Sequence, residues 1–124
     1  MPEFKTQVAG QLVISGGVDN LGATLNSKSM NIESRPLVAV HIKVNNTTAP
    51  SSATAVGRIR VQVSNDPSTI GWSDYQSLSI LANSNVECVV ELETGTRFLR
   101  VRYERTSGNG ILDVFAHGKS YANW

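Results

Sequence analysis

Cysteine is almost missing from this 124-residue chain: Cys88 stands alone, so no intrachain disulfide can form and nothing marks an oxidising compartment. A surplus of one charge is missing too. Eleven Lys and Arg against ten Asp and Glu leave a formal net charge of +1, which gives no excess field for a polyanion, and nucleic acid is not an expected partner. No stretch approaches the run of about 18 apolar residues that a membrane helix needs, and Met1 to Thr6 shows no apolar segment behind a basic one. The expectation is a chain folded in the cytoplasm without a membrane partner. The overlapping sequons at Asn45 and Asn46 would matter only along a secretory route. Apolar residues nowhere recur at i, i+3, i+4 and i+7 over three turns, which argues against helical bundles and βαβ folds.

What remains is a polar, weakly ionic chain. Only 17% of residues are charged, while Ser, Thr, Asn and Gly supply 43 of the 124. A chain of this length buries enough surface for one core without disulfides or metals. The dominant pattern has period two, which sends alternate side chains to opposite faces of a sheet. Val38, Val40, Ile42 and Val44 alternate with Leu37, Ala39, His41 and Lys43. Ile59, Val61 and Val63 alternate with Arg58, Arg60, Gln62 and Ser64. Further runs follow at Gln76 to Leu81, at Val86 to Leu92 with Cys88 on the inward face, at Arg97 to Arg105, and at Gly110 to His117. Gly10 to Ser15 reads as a strand, and Ala23 to Ile32 as one or two weaker ones. Turn formers such as Asn65-Asp66-Pro67 and Thr94-Gly95-Thr96 separate these runs.

About eight strands with short polar links predict an all-β fold, a single antiparallel β-sandwich of jelly-roll type. Residues 9–124 form the domain, behind an N-terminal arm over residues 1–8 that orders on contact. The links after Leu81, Glu93 and Tyr103 have hairpin length. They predict that the strand from Val86 pairs with the runs on either side of it, and the strand from Phe98 with that from Ile111. Glu87 and Glu91 would then oppose Arg100 and Arg102.

Catalytic parts are few, and the chain reads as a non-enzyme without a cofactor. His41 and His117 have no partners at metal-ligand spacing. Glu87 and Glu91 lie about 13 Å apart at strand rise, too far for a retaining glycosidase pair. Cys88 reads as a packed, unreactive thiol. Asn65, Asp66 and Asp74 offer oxygens for calcium, yet not at EF-hand spacing, and Asn-Asp-Pro is a plain turn initiator. Trp72 is expected to fold back over the sandwich edge, and Trp72 with Tyr75 could form a sugar platform. The arginines on two strands suit a protein interface, where planar guanidinium groups make bidentate contacts.

The pattern Val61-Gln-Val-Ser-Asn-Asp-Pro-Ser-Thr-Ile-Gly-Trp72, followed by Thr96-Arg-Phe-Leu-Arg-Val-Arg-Tyr103 and Gly108-Asn-Gly-Ile-Leu-Asp-Val-Phe115, resembles a β-sandwich motif of tailed-phage virion proteins. Over residues 56–118 the same skeleton is similar to discoidin-type sandwiches. The first resemblance implies a capsid decoration, or cement, protein in the virion, working as a homo-oligomer such as a trimer bound across major capsid subunits. A tail or neck accessory is a variant of the same reading, and a glycan-binding module is the alternative. Phe4, Arg58, Arg60, Phe98, Arg100, Arg102 and Trp124 are the expected contact residues.

Overall fold

Alternation of β-branched and polar residues produces nine strands among the described residues, and no helix competes with them. The structure is a computed structural model that describes residues 11–14, 21, 23–33, 37–45, 55–82 and 84–119. Phe4, Trp124, the arm over residues 1–8 and nearly all of the Thr47 to Ala55 loop lie outside the described residues. The strands are β1 (Gln11–Ile14), β2 (Leu25–Asn26), β3 (Met30–Asn31), β4 (Leu37–Asn45), β5 (Val56–Ser64), β6 (Ser73–Ile80), β7 (Val86–Glu93), β8 (Phe98–Ser107) and β9 (Ile111–Lys119).

One sheet has the order β1-β9-β4-β7, the other β2-β8-β5-β6 with β3 also on β8, and every pairing is antiparallel. Counting β2 and β3 as one interrupted strand, this is the eight-strand double sheet of a jelly roll. The interruption has a visible cause. Ser27 is buried, its amide donates to the Val101 carbonyl at 2.8 Å, and its hydroxyl accepts the Val101 N–H at 2.8 Å. A side chain thus replaces one backbone acceptor in the ladder. Replacing Ser27 with Ala strands that buried N–H and is expected to cost roughly 1–3 kcal/mol. Urea unfolding should show this as a lower midpoint at unchanged slope.

The inward residues are those the alternation selects. Val38, Val40, Ile42 and Val44 of β4 meet Ile59 and Val61 of β5, Leu99, Val101 and Tyr103 of β8, and Leu112, Val114 and Ala116 of β9 in one buried cluster. Cys88 packs against its margin, where burial pushes the thiol pKa up. Among the described residues Tyr103 is the largest wholly buried side chain, and its hydroxyl donates to the Val56 carbonyl at 3.3 Å.

Three expected pairings are corrected. β6 and β7, β7 and β8, and β8 and β9 lie in opposite sheets, so their links are arches across the sandwich and not hairpins. β7 pairs with β4, and Glu87 and Glu91 sit opposite Lys43 and Ala39 instead of Arg100 and Arg102. The physical reason is reach: sheets stack about 10 Å apart, and four extended residues span about 13 Å. A short polar link therefore serves either connection, and period two is the same in both. A further correction concerns Gln62 and Ser64, which are on the outer face as expected but are buried.

Candidate functional site

Two outer faces of opposite electrical character are the prominent surfaces of the sandwich. On the β5–β8 side, the outward parity of β5 presents Arg58, Arg60 and Gln62, and that of β8 presents Phe98, Arg100, Arg102 and Glu104. The structure therefore gathers Arg58, Arg60, Phe98, Arg100 and Arg102, drawn from two separate segments, onto one face. Their carboxylate partners come from other positions than expected. Arg60 donates through Nε to Glu104 and through Nη1 to Asp74 of β6, and Arg102 donates through Nη1 to Asn26 Oδ1 at 3.0 Å and approaches Glu104 at 3.5 Å.

Arg100 is held differently. Its Nε donates to Gln62 Oε1 at 2.8 Å, Gln62 Nε2 donates to Asp74 Oδ1 at 2.9 Å, and the guanidinium lies 4.6 Å from the Trp72 ring centroid. That roof of Arg100, Trp72 and Asp74 explains why Gln62 is buried on an outer face. Burial, and secondarily the charge of Arg102, lower the Arg100 pKa. Arg58 donates to the Ser77 hydroxyl at 3.0 Å. The face thus carries four guanidinium groups against the carboxylates of Asp74 and Glu104.

The loop that delivers Trp72 is built from its own turn chemistry. The Asp66 carboxylate accepts from Ser68 Oγ at 2.8 Å and from the Thr69 amide at 3.2 Å, and Ile70 N donates to the Asp66 carbonyl at 3.0 Å. Gly71 ends this single turn at φ 73°, a left-handed conformation that favours glycine, and its carbonyl accepts from Ser64 Oγ at 2.6 Å. Asp66 and Asp74, considered above as calcium ligands, are thereby engaged separately: the first within the turn, the second with Gln62 and Arg60. Trp72 lies under Arg100 instead of folding over an edge.

Both networks hold carboxylates below their ordinary range. The Asp74 pKa is lowered first by Gln62 and then by Arg60, that of Glu104 first by Arg60, and that of Asp66 first by Ser68 and then by Thr69. The unfolded chain therefore binds these protons more readily than the folded one. The stability they contribute is complete above the ordinary carboxylate values of about 4 and disappears as pH falls through the depressed folded values. Thermal unfolding from pH 7 down to pH 2 should show a midpoint that drops in the acid range. Arg60→Ala should shallow that drop without abolishing it, because Gln62 still holds Asp74 and Ser68 still holds Asp66.

The opposite outer face belongs to β7, β4 and β9. Register places Glu87, Lys43 and Asp113 in one row, Val89, His41 and Phe115 in the next, and Glu91, Ala39 and His117 beyond. Val89 and Phe115 are 52% and 43% exposed, and His41 Nε2 lies 3.5 Å from Glu87. This face is acidic with an apolar stripe across its middle. At its end an open groove of about 480 Å³ is lined by Leu37, Tyr75, Glu91, Leu92, Glu93 and His117.

Tyr75 lines this groove, whereas Asp74, the residue before it, bonds on the basic face; the register shift opposite Val61 and Gln62 leaves Tyr75 as the extra residue of β6, so it and Trp72 serve different surfaces. The structure does not join them into one sugar platform. Residues missed from the sequence are Asp74 and Glu104, which complete the arginine network, and Gln62, which bridges it. For Glu104 and Gln62 the available signal was their outward parity with the arginines, whereas Asp74 lies ahead of the expected strand and across a register shift that parity does not carry.

No protein-family model and no curated protein matches this chain. Among solved structures, it is similar to the SPBc2 prophage-derived protein YomS at 10% identity, covering 97% of this chain and 96% of that one, with a TM-score of 0.51. It is also similar to a chain of Bacillus endospore appendages, a family of disulfide-linked pili, at 11% identity over 96% of this chain and 88% of that one, with a TM-score of 0.49. The likeness to the prophage-derived protein is one of fold, along nearly the full length of both chains.

Proposed function

We propose that this chain is a structural protein of a phage-type particle, acting by assembly with copies of itself and with another virion protein. The single observation that carries the reading is the near end-to-end match of its jelly roll to a prophage-derived protein. The finer role is decoration of a capsid. The folded chain would bind the assembled lattice across subunit joints, where several contacts form together, more tightly than it binds a free subunit, and would stabilise the shell by linkage. Such an action is non-catalytic and needs no cofactor. Arg58, Arg60, Phe98, Arg100 and Arg102 would supply its contacts, since fixed guanidinium groups lose little freedom on docking.

A second reading is favoured by one feature, the groove that sets Tyr75 among Glu91, Glu93 and His117. An aromatic side chain with carboxylates beside it suits a glycan, and a virion surface is a place for such a module. Native mass measurement and a glycan array separate the two. An oligomer that binds no glycan supports the assembly reading, and a monomer that binds sugar, losing it on Tyr75→Ala, overturns it.

A further inference from the structure

We propose that the basic outer face of the β5–β8 sheet in one copy docks on the acidic outer face of the β4–β7–β9 sheet in the next, making a head-to-tail contact. This rests on the reading that the chain works by assembling with its own copies. The occupant is chosen by charge. Among the described side chains, the first face sets Arg58, Arg60, Arg100 and Arg102 against Asp74 and Glu104, and the second sets Glu87, Glu91, Glu93 and Asp113 against Lys43. A chain of net charge +1 has thus separated its charges onto opposite sides of one sandwich.

Spacing agrees with charge. Asp74 and Glu104 engage Arg60, whereas Arg58 and Arg100 hydrogen-bond the neutral groups of Ser77 and Gln62. Arg100 lies opposite Gln62 in the ladder, so Arg58 and Arg100 stand four residues apart along the strand direction, about 13 Å. Glu87 and Glu91 are also four residues apart on β7. Between those glutamates Val89 and, across the row, Phe115 expose the apolar stripe. Between the arginines lies a surface already fixed by hydrogen bonds and by the Trp72 stack, so its ordering cost is met before docking. Because the two faces differ, the contact is heterologous: repetition closes a ring, such as a trimer, if the rotation allows, and otherwise extends a filament.

Charge reversal tests this with two full-length variants, Arg58→Glu with Arg100→Glu, and Glu87→Lys with Glu91→Lys. Sedimentation velocity over a range of concentrations is the readout, with circular dichroism confirming the fold of each. Each variant alone is expected to associate on the order of a hundredfold more weakly than the parent chain, the scale of like-charge apposition. An equimolar mixture of the two should recover association, since each contact between unlike variants again apposes faces of opposite sign; a filament or an even-membered ring alternates them throughout, whereas a trimer stops at open hetero-complexes. If the parent chain assembles and either variant alone assembles equally well, or the mixture stays monomeric, the head-to-tail contact is wrong while self-assembly stands. A parent chain that is monomeric throughout overturns both.

Discussion

Tyr103→Ala is expected to remove about 3–5 kcal/mol of stability, a large part of the 5–15 kcal/mol usual for a domain. Tyr103 is fully buried at the centre of β8, the strand that contacts β2, β3 and β5, so the vacated space opens between both sheets. Tyr103→Phe separates packing from hydrogen bonding. It keeps the ring and removes only the 3.3 Å bond to the Val56 carbonyl, for an expected loss of about 1 kcal/mol. Chemical denaturation of both variants measures the difference. Equal losses would mean that the hydroxyl, and not the ring, holds this part of the core.

The second large effect belongs to Gly57, beside that ring. A Cβ built there would press on the Glu104 carbonyl and lie 2.7 Å from Tyr103 Cε1 and 2.8 Å from its hydroxyl oxygen. The conflict is steric, since two strands approach closely where the register between β5 and β8 shifts, between Val56 and Gly57. Gly57→Ala is expected to cost about 1–3 kcal/mol through forced backbone movement. Combined with Tyr103→Ala the loss should be less than additive, because removing the ring relieves two of the three contacts while the Glu104 carbonyl remains. Full additivity in a double-mutant cycle would contradict this packing.

Strand positions and the inward face were legible because Val, Ile and Leu alternate with polar residues at β4, β5, β8 and β9, and burial follows that parity almost residue by residue. Pairing was not legible. The Thr94 to Arg97 link has the turn residues of a hairpin, yet it carries the chain from one sheet to the other. β6 begins at Ser73, ahead of the expected Gln76, because Ser-Asp-Tyr-Gln shows no apolar alternation on an edge strand facing a register shift between Val61 and Gln62. The clustering of Arg58, Arg60, Arg100 and Arg102 could be anticipated as two runs of outward parity, but only the β5–β8 pairing makes them one surface. Arg100 over Trp72 depends on a positive-φ turn at Gly71, a contact with no periodic signature.

The central claim is that the molecule works by joining an assembly. Its most direct test is gradient sedimentation of particles from cells that make the chain, with quantitative mass spectrometry across the fractions. The chain should travel with intact particles in a fixed ratio to their major shell protein, and remain there through repeated banding. Recovery of the chain only at the top of the gradient, as a free 13.4 kDa protein while the particles band without it, would contradict the claim.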